Sequence, residues 1–300
     1  MKIKQLLIAA CIGTMFTACS SDDTAPQNAE RVPINFTANI QQLIPAAGTR
    51  VSATTSGLSI TDFADETEIS VGFFGSGNSV IKKTDGVWNY TGDKLYYSLD
   101  GASQTVIGLY PKQSKSMGEV MHGYVSTPTD QSELSSYQSA DIMGATATIS
   151  APTSEPVALN FKHLGAKIVV KLSGSSISST FSIKMKNIIT TGTYSTSGGV
   201  LKISKMYGNN TITFGNYTSA GQTAIIIPQE VAASTVLFEV GTGDVTYTYT
   251  TQDAINFKAG YEYTFNLTFS QTAINLSDVS ITDWSADPDK SDAISGDLEK

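Results

Sequence analysis

The chain predicts an all-β protein, built as two antiparallel β-sandwich domains in tandem, and three observations predict it. Apolar residues recur at every second position in one stretch after another, most clearly at Val32, Ile34, Phe36, Ala38 and Ile40. Short runs rich in Val, Ile, Phe, Tyr and Thr alternate with Gly, Asn and Ser clusters, most densely between residues 211 and 269. In the middle of the chain, residues 157–172 (VALNFKHLGAKIVVKL) change parity: Val157, Leu159 and Phe161 are odd, whereas Ala166, Ile168, Val170 and Leu172 are even. A strand alternates faces with period two, so a parity change means a one-residue shift at a bulge or bend. Gly165 sits where that bend must be, and the second strand then has a core face and a wetter face carrying Lys167 and Lys171.

Of the 300 residues, 40% are hydrophobic and 15% charged. This is ample core for about two domains. A leader is legible at the N-terminus. Lys2 and Lys4 precede an apolar run over residues 6–16 that is too short to span a bilayer, so residues 1–18 read as a signal peptide. The formal charge of −8 becomes −10 without the leader, whose only charges are those two lysines. An acidic chain of this kind is a poor partner for nucleic acid or anionic membranes. Cys11 departs with the leader, which leaves Cys19 alone and rules out an internal disulfide. Residues 19–31 are polar and aperiodic and read as a tether.

Residues 32–156 form the first expected domain. Its opening strand, Val32 to Ile40, contains Pro33, which lacks an N–H, so it belongs at an edge. Residues 45–57 are small and polar, with Arg50 as their only charge, and read as an exposed loop open to proteases. Ile69, Val71 and Phe73 give the next strand, ended by Gly75-Ser76-Gly77-Asn78, which reads as a hairpin turn because no helix pattern or Lys-Ser/Thr follows to complete a phosphate loop. Trp88, Tyr90, Tyr96, Tyr97 and the run Val106 to Tyr110 are read as core, with a sugar-stacking platform as the alternative. Residues 114–139 show no sustained period and read as a long loop.

Residues 157–300 form the second expected domain. Phe181, Ile183 and Met185 alternate, short strands follow, and the strongest pattern is Tyr261, Tyr263, Phe265, Leu267 and Phe269 after Gly260. Residues 285–300 are acidic and read as a solvated tail, since Asp287, Asp289 and Asp292 lack the glycine and terminal glutamate of a calcium loop. The chain contains no Gly-x-Ser-x-Gly, no His-Glu-x-x-His and no cysteine pair in the mature part, and its two histidines are far apart. No enzymatic activity, cofactor or metal site is therefore expected, and His163 reads as a packed residue.

Several of these stretches carry a resemblance. The Phe161-Lys162-His163 run followed by Ala166-Lys167-Ile168-Val169-Val170 resembles the central segment of the fimbrillin-like (type V pilin) family of Bacteroidia. So do Trp88 with the Tyr96-Tyr97 pair and Tyr110-Pro111, the Asp141 to Ala145 segment, Gly260-Tyr261-Glu262-Tyr263, and the closing Val279 to Trp284. The resemblance implies tandem transthyretin-like sandwiches and a structural or adhesive subunit of a cell-surface fimbria. Phe16-Thr17-Ala18-Cys19 resembles a lipobox, with Phe16 where leucine is usual, and Ser20-Ser21-Asp22-Asp23 resembles a surface-export signal. These imply lipidation at Cys19 and an outer-membrane, cell-surface location; an ordinary signal peptide cut after Ala18 is the alternative.

The family also implies that an arginine-specific protease removes the first strand, so that other pilin subunits bind by β-strand complementation. Here Arg50 is the candidate processing site, and Val32, Ile34, Phe36, Ala38 and Ile40 are the displaced apolar positions. Arg50 as a plain loop arginine is the alternative. Ile274, Leu276, Val279 and Ile281 are the candidate donor positions, and host or bacterial surface ligands are further partners for a tip role. A different class of function, a glycan-binding outer-membrane lipoprotein of a polysaccharide-uptake system, would require Trp88, Tyr96 and Trp284 to be exposed.

Overall fold

The computed structural model describes residues 31–41, 62–74, 78–174, 181–197, 199–206, 208–218, 221–242, 245–269 and 274–284. Cys19 with its tether as far as residue 30, the Arg50 loop, the glycine turn at residues 75–77 and the tail at residues 285–300 lie outside them. The first half contains β1 (Phe36–Ile40), β2 (Glu68–Phe73), β3 (Asn78–Thr84), β4 (Val87–Tyr90), β5 (Gln104–Tyr110), α1 (Met117–His122), β6 (Tyr124–Ser126), α2 (Leu134–Ala140), β7 (Met143–Ile149) and β8 (Val157–His163). The second contains β9 (Ala166–Ser173), β10 (Ser182–Ile188), β11 (Thr191–Ser197), β12 (Val200–Lys205), β13 (Asn210–Thr213), β14 (Gly215–Thr218) and β15 (Gly221–Ile226). It continues with β16 (Gln229–Val231), β17 (Val236–Thr242), β18 (Val245–Thr250), β19 (Ile255–Phe257), β20 (Tyr261–Phe269) and β21 (Ile274–Asp283). The protein is all-β, and its two described helices have only six and seven residues.

A seven-stranded sheet runs β1-β8-β7-β5-β2-β3-β4. It curls until its edges meet, with the Phe36 ring of β1 edge-on to Tyr90 of β4 at 6.2 Å between centroids. Inside the curl Phe63, Ile69, Val71, Val106, Leu159 and Phe161 are buried together. The Phe161 ring approaches β5 this closely because residue 108 is glycine: a Cβ there would stand 2.7 Å from Phe161 Cζ.

The turn expected at Gly165 is present. β8 ends at His163, β9 begins at Ala166, and the chain passes there from the seven-stranded sheet into a five-stranded sheet, β14-β15-β9-β20-β21. A Cβ at residue 165 would meet Ile225 Cγ2 at 2.8 Å, so the close approach requires glycine. The five-stranded sheet shares a core with the four-stranded sheet β13-β10-β17-β18, in which Ile168 and Val170 of β9 join Ile183 and Met185 of β10, Phe238 and Val240 of β17, and Phe265 and Leu267 of β20. Two inner faces meeting in one apolar layer are what alternating strands produce.

The expected wetter face of β9 is not wet at its start. Val169 is buried, and Lys167 is buried too, with its Nζ 2.9 Å from Glu262 Oε2 on the neighbouring β20. The strand is central, flanked by β15 and β20, and the lysine is tolerated there because a carboxylate neutralises it. A third layer, the sheet β12-β11-β6 with α1, packs Leu201, Ile203, Tyr194 and Met117 onto Ile107 and Leu109, on the reverse of β5. The expected long loop over residues 114–139 therefore contains two helices and a strand. Of these α1 is announced by a capping box, in which Ser116 accepts from the Glu119 N–H and Glu119 reaches back to the Ser116 N–H.

Candidate functional site: a groove filled by the first strand

The expected edge strand is β1, and its alternation places it. Ile34, Phe36, Ala38 and Ile40 are all buried in the core of the seven-stranded sheet, while Thr37 and Asn39 face outward. Val32, the fifth candidate position, is 41% exposed and precedes the strand. β1 runs parallel to β8, pairing Phe36 with Val157 through to Ile40 with Phe161. Only one other described ladder, β9 with β20, is parallel. A parallel pair cannot close through a hairpin and needs a long connection; here β1 and β8 are the first and last strands of this sheet, with the other five between them in sequence.

Main-chain bonds hold the strand on both sides. On the β8 side, Val157 N–H donates to Asn35 O at 2.8 Å and Gln41 N–H donates to Phe161 O at 2.7 Å. On the other side, Ile34 N–H donates to Leu95 O at 2.9 Å, and Tyr97 N–H donates to Val32 O at 3.1 Å. The Tyr90 hydroxyl ties the start of the strand to this second wall, donating to Ile34 O at 2.8 Å and accepting from Leu95 N–H at 3.2 Å. Burial pushes this phenol up to about 12, partly opposed by the Leu95 N–H. Sequence patterning assigned Tyr90 and Tyr97 to the core but not to this groove, because nothing in the local sequence says which strand a distant hydroxyl meets. At the groove floor Phe63 stands edge-on to Trp88 at 5.6 Å and to Phe161 at 5.2 Å.

Among known proteins, a family model described as fimbrillin-like matches residues 49–284. The chain belongs to the fimbrillin-like family. Solved structures agree in fold. A candidate cell adhesion protein of Bacteroides ovatus superposes with a TM-score of 0.61 at 19% identity, over 86% of this chain and 99% of that one. A second, from Bacteroides uniformis, gives 0.58 at 17% identity over 86% and 99%. No curated protein sequence matches the chain significantly.

None of the three aromatics that a glycan platform would require is fully exposed in this fimbrillin-like chain. Trp284 is 3% exposed and stacks on the His163 ring, with centroids 4.1 Å apart, while Trp88 and Tyr96 are half-buried. His163 is held inside, its Nδ1 2.7 Å from Asp141 Oδ1. These contacts make His163 and Trp284 structural links between the two halves of the fold. The candidate donor positions lie on β21, an edge strand of the five-stranded sheet, with Ile274 buried and Leu276, Val279 and Ile281 partly buried.

Proposed function

We propose that this protein is a structural or adhesive subunit of a cell-surface fimbria, exported as a lipoprotein through Cys19 and assembled by strand exchange. β1 fills the groove until a cut after Arg50 frees it, and a strand from another subunit then replaces it. The observation that carries this reading is the placement of β1. It is terminal, lies at a sheet edge, and buries four alternate side chains between β8 and the Leu95–Tyr97 wall. While covalently attached it outcompetes any partner by effective concentration. Once removed, it leaves an apolar slot and a line of unpaired main-chain groups, both of which an incoming strand satisfies. A neighbour's β21, also terminal and also an edge, is the segment of this chain best suited to donate. Family membership supports the fimbrial role, and the fold shared with two candidate cell adhesion proteins is consistent with it.

Limited trypsin digestion of the purified protein, wild type against Arg50→Ala, tests the reading. The wild type is expected to be cut after Arg50, lose the segment bearing β1 and form oligomers, while the variant stays monomeric. A wild-type product that has lost β1 and remains monomeric at high concentration refutes it.

A further inference from the structure

Where the two halves of the fold meet, the outer faces of β7, β8 and β12 and the segments at residues 228–230 and 256–261 enclose a cleft of about 910 Å³. Its charge is unlike that of the rest of the chain. Lys162, Lys202, Lys205 and Lys258 line it, and among the described residues Glu230 is the only carboxylate that does. All four lysines are exposed, and among the described residues none of them forms an ion pair. Lys205 alone has a polar contact, its Nζ 3.5 Å from the main-chain oxygen of Glu230. By contrast Lys82, Lys83, Lys112, Lys167 and Lys186 each have a carboxylate partner. A protein with 27 acidic and 19 basic residues has thus gathered four unpaired cations around one concave surface. Like charges converging without counter-charge repel one another, and an anion seated among them relieves that repulsion.

The chain supplies such an anion at the rim. β21 ends beside Tyr261, which pairs with Asp283, and Trp284 N–H donates to Gly260 O at 2.9 Å. Trp284 also stacks on His163, and Gly260, Tyr261 and His163 all line the cleft. From that point residues 285–300 carry Asp287, Asp289, Asp292, Asp297 and Glu299 against Lys290 and Lys300. From these observations we infer that the cleft is the docking site for the chain's own acidic tail, residues 285–300, whose carboxylates pair with Lys162, Lys202, Lys205 and Lys258. Each such pair is exposed and weak by itself, but the tether at Trp284 keeps the tail at high local concentration, and several pairs act together. The docked tail covers the basic cleft against other anions, and rising salt releases it. This inference involves neither β1 nor Arg50 and concerns the uncut monomer, in which β21 remains paired with β20.

Zero-length carbodiimide cross-linking of the full chain, read by mass spectrometry on the monomer band, tests it. The expected result is amide links from Asp287, Asp289 or Asp292 to Lys162, Lys202, Lys205 or Lys258, lost at high salt. The Lys186–Glu239 pair, 3.4 Å apart, serves as the internal control. In parallel, an Asp287→Asn, Asp289→Asn, Asp292→Asn variant is expected to label at those four lysines roughly fivefold faster with an amine-reactive reagent, the protection that a few exposed ion pairs give. Control links without tail-to-cleft links overturn the inference, as does finding those links only in a dimer band, which would assign the cleft to a second copy. Unchanged lysine labelling in the variant also overturns it.

Discussion

Replacing Phe36 with alanine should loosen β1 without loosening the rest of the fold. The ring is 5% exposed and contacts Tyr90 edge-on, so its loss removes both buried apolar area and an aromatic contact. Truncation of a buried phenylalanine costs roughly 3–5 kcal/mol, and about 3 is appropriate for an edge strand whose surroundings can relax. At about 1.4 kcal/mol per factor of ten, the open fraction of the strand rises roughly a hundredfold. Amide hydrogen exchange reads this directly, because the N–H groups of Tyr97 and Val157 donate to carbonyls of Val32 and Asn35. Their exchange should accelerate by about that factor. The control is Ile225, whose N–H donates to Gln131 Oε1 at 2.8 Å on the far side of the β8–β9 corner and should change little. If Ile225 accelerates as much as Val157, β1 opens only when the whole unit unfolds, and a separable first strand is refuted.

Other perturbations act on different parts of the molecule. Tyr90 holds its proton more tightly when folded, about 12 against an ordinary 10.0, so its contribution to stability is complete below pH 10 and is lost as pH rises toward 12. Denaturation midpoints across that range should fall for the wild type, and less steeply for Tyr90→Phe. Gly108→Ala would set a Cβ against the Phe161 ring, and thermal melting should show a loss of roughly 1–3 kcal/mol. Cys19→Ala should abolish acylation and shift the protein out of the membrane fraction on cell fractionation; wild-type-like partitioning and migration would refute lipidation there.

Legibility followed sequence separation. β1, the β8–β9 corner and β20 stood out because period-two alternation is a local signal, and the glycine at residue 165 marked the corner by its lack of a side chain. The break in β21 went unread although its signal is local: its apolar residues switch parity between Leu276 and Val279, where the ladder with β20 shifts register. The capping box at Ser116 and Glu119 was equally local and passed unread because no apolar period follows it over six residues. What alternation could not supply was partnership. Nothing near Lys167 announces Glu262, and nothing near Tyr90 announces the Ile34 carbonyl, since both contacts arise only when distant strands become neighbours. The parallel sense of β1 against β8 was hidden for the same reason.

That parallel pairing has a consequence for the order of events during synthesis and export. Phe36 meets Val157, 121 positions later in the chain, so β1 is made before the other six strands of its sheet and cannot find its partner until nearly all of that sheet exists. Contacts of such long range form slowly, because the loop they close must be paid for in entropy before any bond repays it. β1 is therefore expected to dock late, onto a sheet whose antiparallel strands have already zipped together. An element that arrives last leaves its site vacant for a time in every newly folding molecule, and in that interval nascent copies are open to one another.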